Sequence, residues 1–198
     1  MLPVGEIEAN CYILSSDQTH NAILIDPGDE YPKIKAFLDT KGITPKLIVH
    51  THGHIDHIQA DNEFNLPVYV HKLDVALLEN PDRNLSSFLS HPFNVKAPIK
   101  PVEDQEHITL DDIGLEVIHT PGHTPGGICL KADTIIFTGD TLFAGSVGRT
   151  DFPGASQKEL IQSIRGRLLI FPDTTIIYPG HGPRSTIGKE RKNNPFLS

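Results

Sequence analysis

The sequence predicts an α/β protein made of two sheets packed face to face, with helices on the outside. Eight short apolar runs, four in each half, are punctuated by Gly, Pro and Asp and read as strands. Amphipathic stretches between them read as helices. Both halves mix the two kinds of element, so each half has a sheet to cover on two faces. With 198 residues, a single domain spanning 1–198 is the expectation.

In the first half the strands are CYIL (11–14), AILID (22–26), KLIVH (46–50) and PVYVH (67–71). Between the second and third, Tyr31–Lys41 sets Ile34, Phe37 and Leu38 on one helical face. Asp74–Glu79 suits a shorter helix. Residues 80–106 hold several prolines, a Ser-Ser pair and no period, so a loop with at most a short helix is expected there. Such a loop is either a lid over a site or a plain surface excursion. In the second half GLEVIH (114–119), GICLK (127–131), TIIFT (134–138) and TTIIY (174–178) are strands. Ser156–Phe171 aligns Leu160, Ile161, Ile164 and Leu168, and Ser156 with Glu159 forms a capping box.

The bulk numbers exclude some partners. Seventeen basic against 25 acidic residues leave a net charge of −8, which argues against nucleic acid, whose phosphates are held by surplus Lys and Arg. No apolar stretch is long enough to cross a bilayer, and the first residues lack an export pattern, so a cytoplasmic protein without a membrane partner is expected. Cys11 and Cys129 sit in apolar stretches and read as buried free thiols.

Function enters where strands end. LIVH runs into THGHIDH (51–57), EVIHT into PGHTPG with His123, TIIFT into GDTLF with Asp140, and TIIYP into GHGP with His181. Four times an apolar run gives way to a turn presenting a histidine or an aspartate, and strand ends on one rim are where loops build sites. The candidate ligands are His52, His54, Asp56, His57, His123, Asp140 and His181. Imidazole and carboxylate suit zinc, with iron or manganese also accepted by such N/O donors. Seven groups are too many for one tetrahedral ion and suit two divalent ions, one carboxylate bridging. Alternation along an extended chain would bring His52, His54 and Asp56 to one side.

The pattern His-x-His-x-Asp-His, then a lone His, an Asp and a final His, resembles the metallo-β-lactamase superfamily. The resemblance implies an αββα sandwich of two mixed β-sheets with helices on the outside. It implies one ion on His52, His54 and His123, a second on Asp56, His57 and His181, and Asp140 between them. A lactamase proper is disfavoured, because several carry cysteine where this chain has Asp140. ANCYIL, GDTLFAGSVGRTDFPG (139–154), PGHGPRSTIGKE (179–190) and NPFL (194–197) are similar to short, single-domain glyoxalase II-like hydrolases. These resemble hydroxyacylglutathione hydrolase, which cleaves S-lactoylglutathione. Two departures touch the carrier: there is no room for the helical C-terminal domain of the larger enzymes, and Gly182-Pro183 stands where they have a tyrosine.

The expected chemistry follows. Metal binding lowers the pKa of water from about 15.7 to about 7, so a metal-bound hydroxide attacks a thioester or ester carbonyl, and Asp56 orients it. No further general acid is visible, and a thiolate, with a parent pKa of about 8.5, leaves without one. Other residues carry two readings each. Asp26 either supports a ligand imidazole or forms the Asp-Pro-Gly turn. Arg149 either lines a substrate pocket or pairs with Asp151 to fix a loop. Asn10 satisfies backbone, and Thr51, Gly53 and Gly122 serve loop geometry. His20, His50, His71, His91, His107 and His119 need only packing or a backbone hydrogen bond. The rival readings are a persulfide dioxygenase with one iron, a lactone hydrolase, and a non-catalytic metal-stabilised or RNA-binding module.

Overall fold

The computed structural model describes residues 1–88 and 92–197; His91 lies outside the described residues. The first sheet contains β1 (Leu2–Val4), β2 (Ala9–Ser15), β3 (Asn21–Ile25), β4 (Thr44–Val49), β5 (Val68–His71) and β6 (Ile99–Val102), in that spatial order. The second contains β7 (His107–Leu110), β8 (Ile113–His119), β9 (Ile128–Ala132), β10 (Ile135–Gly139), β13 (Ile176–Pro179) and β14 (Ser185–Thr186), ordered β14-β13-β10-β9-β8-β7. A small hairpin pairs β11 (Leu142–Phe143) with β12 (Ser146–Val147). Both large sheets are mixed: β3 to β6 pair in parallel, as do β10 and β13, and the other pairs are antiparallel.

The helices are α1 (Tyr31–Lys41), α2 (Ile55–Ile58), α3 (Asp61–Phe64), α4 (Val75–Glu79), α5 (Gln157–Ser163) and α6 (Ile187–Asn193). Strand alternation distributes the apolar side chains between layers. From β3 and β4, Ile23, Ile25, Leu47 and Val49 point to the other sheet, where Leu115, Val117, Ile128, Leu130 and Phe137 meet them. The intervening Leu24 and Ile48 point outward against Ile34 and Leu38 of α1. On the far side Cys129 and Ile136 meet Leu160, Ile164, Leu168 and Ile187. Helix, sheet, sheet, helix is the result, and strands covered on both faces explain the unbroken apolar runs. Ile23 and Leu130 are fully buried between the sheets. Truncating either to Ala is expected to cost about 2–5 kcal/mol, read as a lower denaturation midpoint at unchanged slope.

Two segments differ from expectation. The helix expected over 156–171 ends at Ser163 and continues as a π turn over Ile164–Leu168. Leu160, Ile164 and Leu168 are spaced by four, which drifts off an α-helical face, and the wider turn keeps Leu168 in the core. Ser156 does cap α5, its Oγ accepting from the Glu159 N–H at 3.3 Å. The segment expected to be loop holds a 3₁₀ turn at Ser86–Phe88 and strand β6, and Val95 and Ala97 enter the core. Pro101 is tolerated because β6 is an edge strand. Cys11 and Cys129 are buried free thiols. Among the described residues, no helix is long and apolar enough to cross a membrane.

Candidate metal centre

Four strands of the two sheets deliver their C-terminal ends to one rim. β4 runs through His50 and Thr51 into His52, Gly53 and His54; α2 then turns Asp56 and His57 inward. β8 leads to His123, β10 to Asp140 and β13 to His181. Backbone bonds tie these ends together: Ile128 N–H to Thr51 O at 2.8 Å, Gly180 N–H to Gly139 O at 2.8 Å, and Asn10 N–H to Gly180 O at 2.7 Å.

All seven residues singled out by sequence converge. Their ligand-capable atoms form three groups, each within 4.8 Å: His52, His54 and His123; His52, His57 and Asp140; Asp56, His57 and His181. Asp140 lies between the first group and the third. One of its oxygens is 3.6 Å from His57 Nε2, and the other is 3.7 Å from His123 Nε2 and 3.8 Å from His181 Nε2. Asp56 Oδ2 is 3.1 Å from His181 Nε2 and 3.3 Å from His57 Nε2. The extended alternation expected to align Asp56 with His52 and His54 is not what places it. The chain turns helical at Ile55, and this sends Asp56 to the other group with His57.

The donor set fits a cation. Buried His52 Nε2, His57 Nε2 and Asp140 Oδ1 have no hydrogen-bond partner, an expensive condition for polar atoms in a packed interior. The opposite ring nitrogens are committed elsewhere. His57 Nδ1 meets Asp26 Oδ2 at 3.1 Å, His123 Nδ1 donates to Arg149 O at 2.7 Å, and His181 Nδ1 donates to Ile7 O at 3.1 Å. Thr51 Oγ1 gives its proton to Asp26 Oδ2 (2.6 Å), so at 3.2 Å it accepts from His52 Nδ1. In the neutral tautomer that such bonds select, the proton sits on Nδ1 and Nε2 faces the cluster. Burial, reinforced by the neighbouring histidines, pushes His52 well below the ordinary imidazole value and His54 down to about 3, so both imidazoles are neutral, the form that can bind a metal. Burial also opposes charge on His57, yet Asp56, Asp26 and Asp140 raise it well above the usual value. The carboxylates thus favour positive charge at that point.

Space is as constrained as charge. A Cβ on Gly180 would lie 2.2 Å from Asp140 Oδ1 and 2.9 Å from His57 Cε1, so only glycine lets this turn pass under the cluster. Asn10 satisfies backbone as expected, its amide donating to Pro179 O and Gly182 O. Of the two readings of Asp26, the structure supports the imidazole partner: it accepts from the Thr51 N–H and meets His57, while Asp26-Pro27-Gly28, with Asp26 at φ 50, forms no hydrogen-bonded turn.

His50 needs more than the packing expected of it. It is fully buried, with Asp61 at 2.7 Å on Nε2 and Asp26 at 3.4 Å on Nδ1; burial alone would lower its pKa, but these carboxylates lift it to about 9. Asp61 lies eleven residues along on α3, and nothing local in the sequence signals this pairing. Arg149 pairs with Asp151 through two hydrogen bonds (3.0 and 2.7 Å) and lies over the Phe152 ring at 4.5 Å. Phe152, which sequence reading passed over, stands edge-on to His54 at 5.2 Å and walls one side of the centre.

Comparison with known proteins places the chain in a family. The family model described as the metallo-beta-lactamase superfamily matches residues 4–181. The chain belongs to the metallo-β-lactamase superfamily. Its αββα sandwich is the fold of that superfamily. A probable metallo-hydrolase, YqgX of Bacillus subtilis, is 37% identical over 100% of this chain and 96% of its own length. Hydroxyacylglutathione hydrolase GloC of Haemophilus influenzae is 36% identical over 100% of this chain and 97% of its own. Among solved structures, the BLEG-1 B3 metallo-beta-lactamase superposes with TM-score 0.93 at 37% identity, covering 100% of this chain and 98% of that one. TTHA1623 in a di-iron-bound form superposes with TM-score 0.87 at 37% identity, covering 99% and 98%. This superfamily member is therefore similar over its whole length both to a protein named hydroxyacylglutathione hydrolase and to one named a B3 metallo-beta-lactamase.

Proposed function

We propose that the chain is a metal-dependent hydrolase of small acyl thioesters, with S-lactoylglutathione as the type of substrate. The observation that carries the reading is the convergence of buried, unpartnered donor atoms from loops of both sheets. His52, His54 and His123 would hold one divalent ion and Asp56, His57 and His181 a second, with Asp140 reaching both. Zinc is the chemical default, and the di-iron form of a similar protein keeps iron in view. Such an ion pair supplies Lewis acidity that makes water nucleophilic near neutrality.

The chain's own residues do the rest. Asp56 is the catalytic residue we assign: one oxygen faces the histidines, and the second orients the attacking water. Phe152 excludes solvent beside His54, and Arg149, exposed on the same loop, is our candidate for a substrate contact. A thiolate departs without protonation, whereas the amide nitrogen of a lactam needs a proton donor. GloC, a relative of almost the same length, supports the thioester reading, and the equally similar B3 lactamase makes a β-lactam the necessary comparison substrate.

The test is a panel of thioesters, lactones and a β-lactam run on protein of measured metal content. Turnover of S-lactoylglutathione at least about tenfold above the other classes, in kcat/KM, is expected. Oxygen uptake with glutathione persulfide and no thioester cleavage would replace the reading with a dioxygenase. A fully metal-loaded protein inert to the whole panel would leave only a binding role.

A further inference from the structure

We infer that Asp74 is a positioning residue that sets the spacing of the three-histidine position, His52, His54 and His123, and not that of Asp56, His57 and His181. The inference rests on the metal reading above and deepens it. Asp74 occupies the N-cap position of α4 without capping it through its side chain, and is fully buried. Its carboxylate accepts from three donors. Oδ2 takes the Gly53 N–H at 3.2 Å and the Thr124 hydroxyl at 2.7 Å, and Oδ1 takes the Gly126 N–H at 2.6 Å.

The positions of those donors matter. Gly53 lies between His52 and His54, on the loop that leaves β4 of the first sheet. Thr124 follows His123, on the loop that leaves β8 of the second. One carboxylate therefore pins two loops from opposite sheets, and the three histidines are the side chains those loops present. A buried carboxylate is stable only when its oxygens are satisfied, so the charge holds all three donors in place. The fit is close: a Cβ on Gly126 would come within 2.6 Å of Asp74. The other group has different supports, namely Asp26 behind His57 and the Ile7 carbonyl behind His181. Weakening the Asp74 clamp should thus loosen one position and spare the other.

The experiment is cobalt(II) titration of the metal-free full-length protein, followed by visible absorption, for wild type, His54→Ala, Asp74→Asn and Thr124→Val, with melting of each metal-free form. Asn keeps the shape of Asp74 but turns an amide donor toward at least one N–H. Wild type is expected to take up cobalt in two steps, one of which His54→Ala removes. Asp74→Asn should weaken that same step roughly 10- to 100-fold and alter its absorption band, leaving the other step unchanged. Thr124→Val, which deletes one of the three bonds, should act in the same direction more mildly. Both steps unchanged in Asp74→Asn, or both weakened alike, overturns the inference. If Asp74→Asn does not fold, Thr124→Val decides alone, and wild-type binding in it overturns the clamp. A wild-type protein that takes up no cobalt overturns the site itself.

Discussion

Stripping the purified protein with a chelator is expected to abolish turnover, and His54→Ala is expected to do nearly the same while lowering bound metal. His54 faces His123 at 2.9 Å in the first group, and its pKa of about 3, set by burial and then by His123, leaves it a neutral ligand throughout the working pH range. Removing it leaves two histidines where three converged, so we expect kcat/KM to fall by about 10³, or about 4 kcal/mol of transition-state stabilisation. The fold should survive, since His54 lies on a loop before α2 and outside the three apolar clusters. Re-addition of zinc to chelated wild type should restore both activity and melting temperature, because an ion bound by the native state alone raises its stability. Metal analysis, turnover and melting on the same samples check this. Full activity in His54→Ala, or in exhaustively chelated wild type, would remove the basis of the site assignment.

The second large effect is expected from Gly180→Ala, a substitution that deletes no ligand. The new methyl would sit 2.2 Å from Asp140 Oδ1 and 3.1 Å from the Gly139 carbonyl carbon. The backbone there has little room to retreat, because Gly180 N–H is bonded to Gly139 O and Gly180 O to Asn10 N–H. Asp140 must therefore yield, and it is the carboxylate that reaches both histidine groups. A displacement of about 1 Å at a reacting centre costs on the order of 100-fold in rate, so a fall of that size in kcat is expected, with lowered metal content. Asp140→Asn gives the comparison: it keeps the volume and removes the charge. Wild-type turnover in Gly180→Ala would show that Asp140 is not needed where the structure puts it.

Most strands, helices α1 and α4 and the start of α5 were legible because their signal is local, whereas α6 was not. Ile23, Leu24 and Ile25 make an unbroken apolar run because both faces of β3 are covered, and that run is visible without knowing by what. Strand β6 was not legible, since Pro98 and Pro101 mask its pattern and its hydrogen bonds to β5 supply the missing support. The short helix α2 was hidden for a related reason. THGHIDH carries no period, and the helix is set by what surrounds it, including the bond from Ile55 N–H to Asn84 O.

The candidate ligands themselves are written in the sequence, because histidines and aspartates placed just after apolar runs are a chemical pattern as much as a spatial one. The family resemblance already implied how they divide; what only the tertiary structure decided is why they divide so and what holds them. Asp56 joins His57 and His181 because the chain turns helical at Ile55, and His50 pairs with Asp61, Asp26 with His57, and Asp74 with two loops at once. Those partners lie between 11 and 52 residues apart along the chain. Residue order fixes which functional groups exist and which face of a strand they leave from. Distances between groups on separate loops follow from the packing of two sheets, and no local run of residues encodes that.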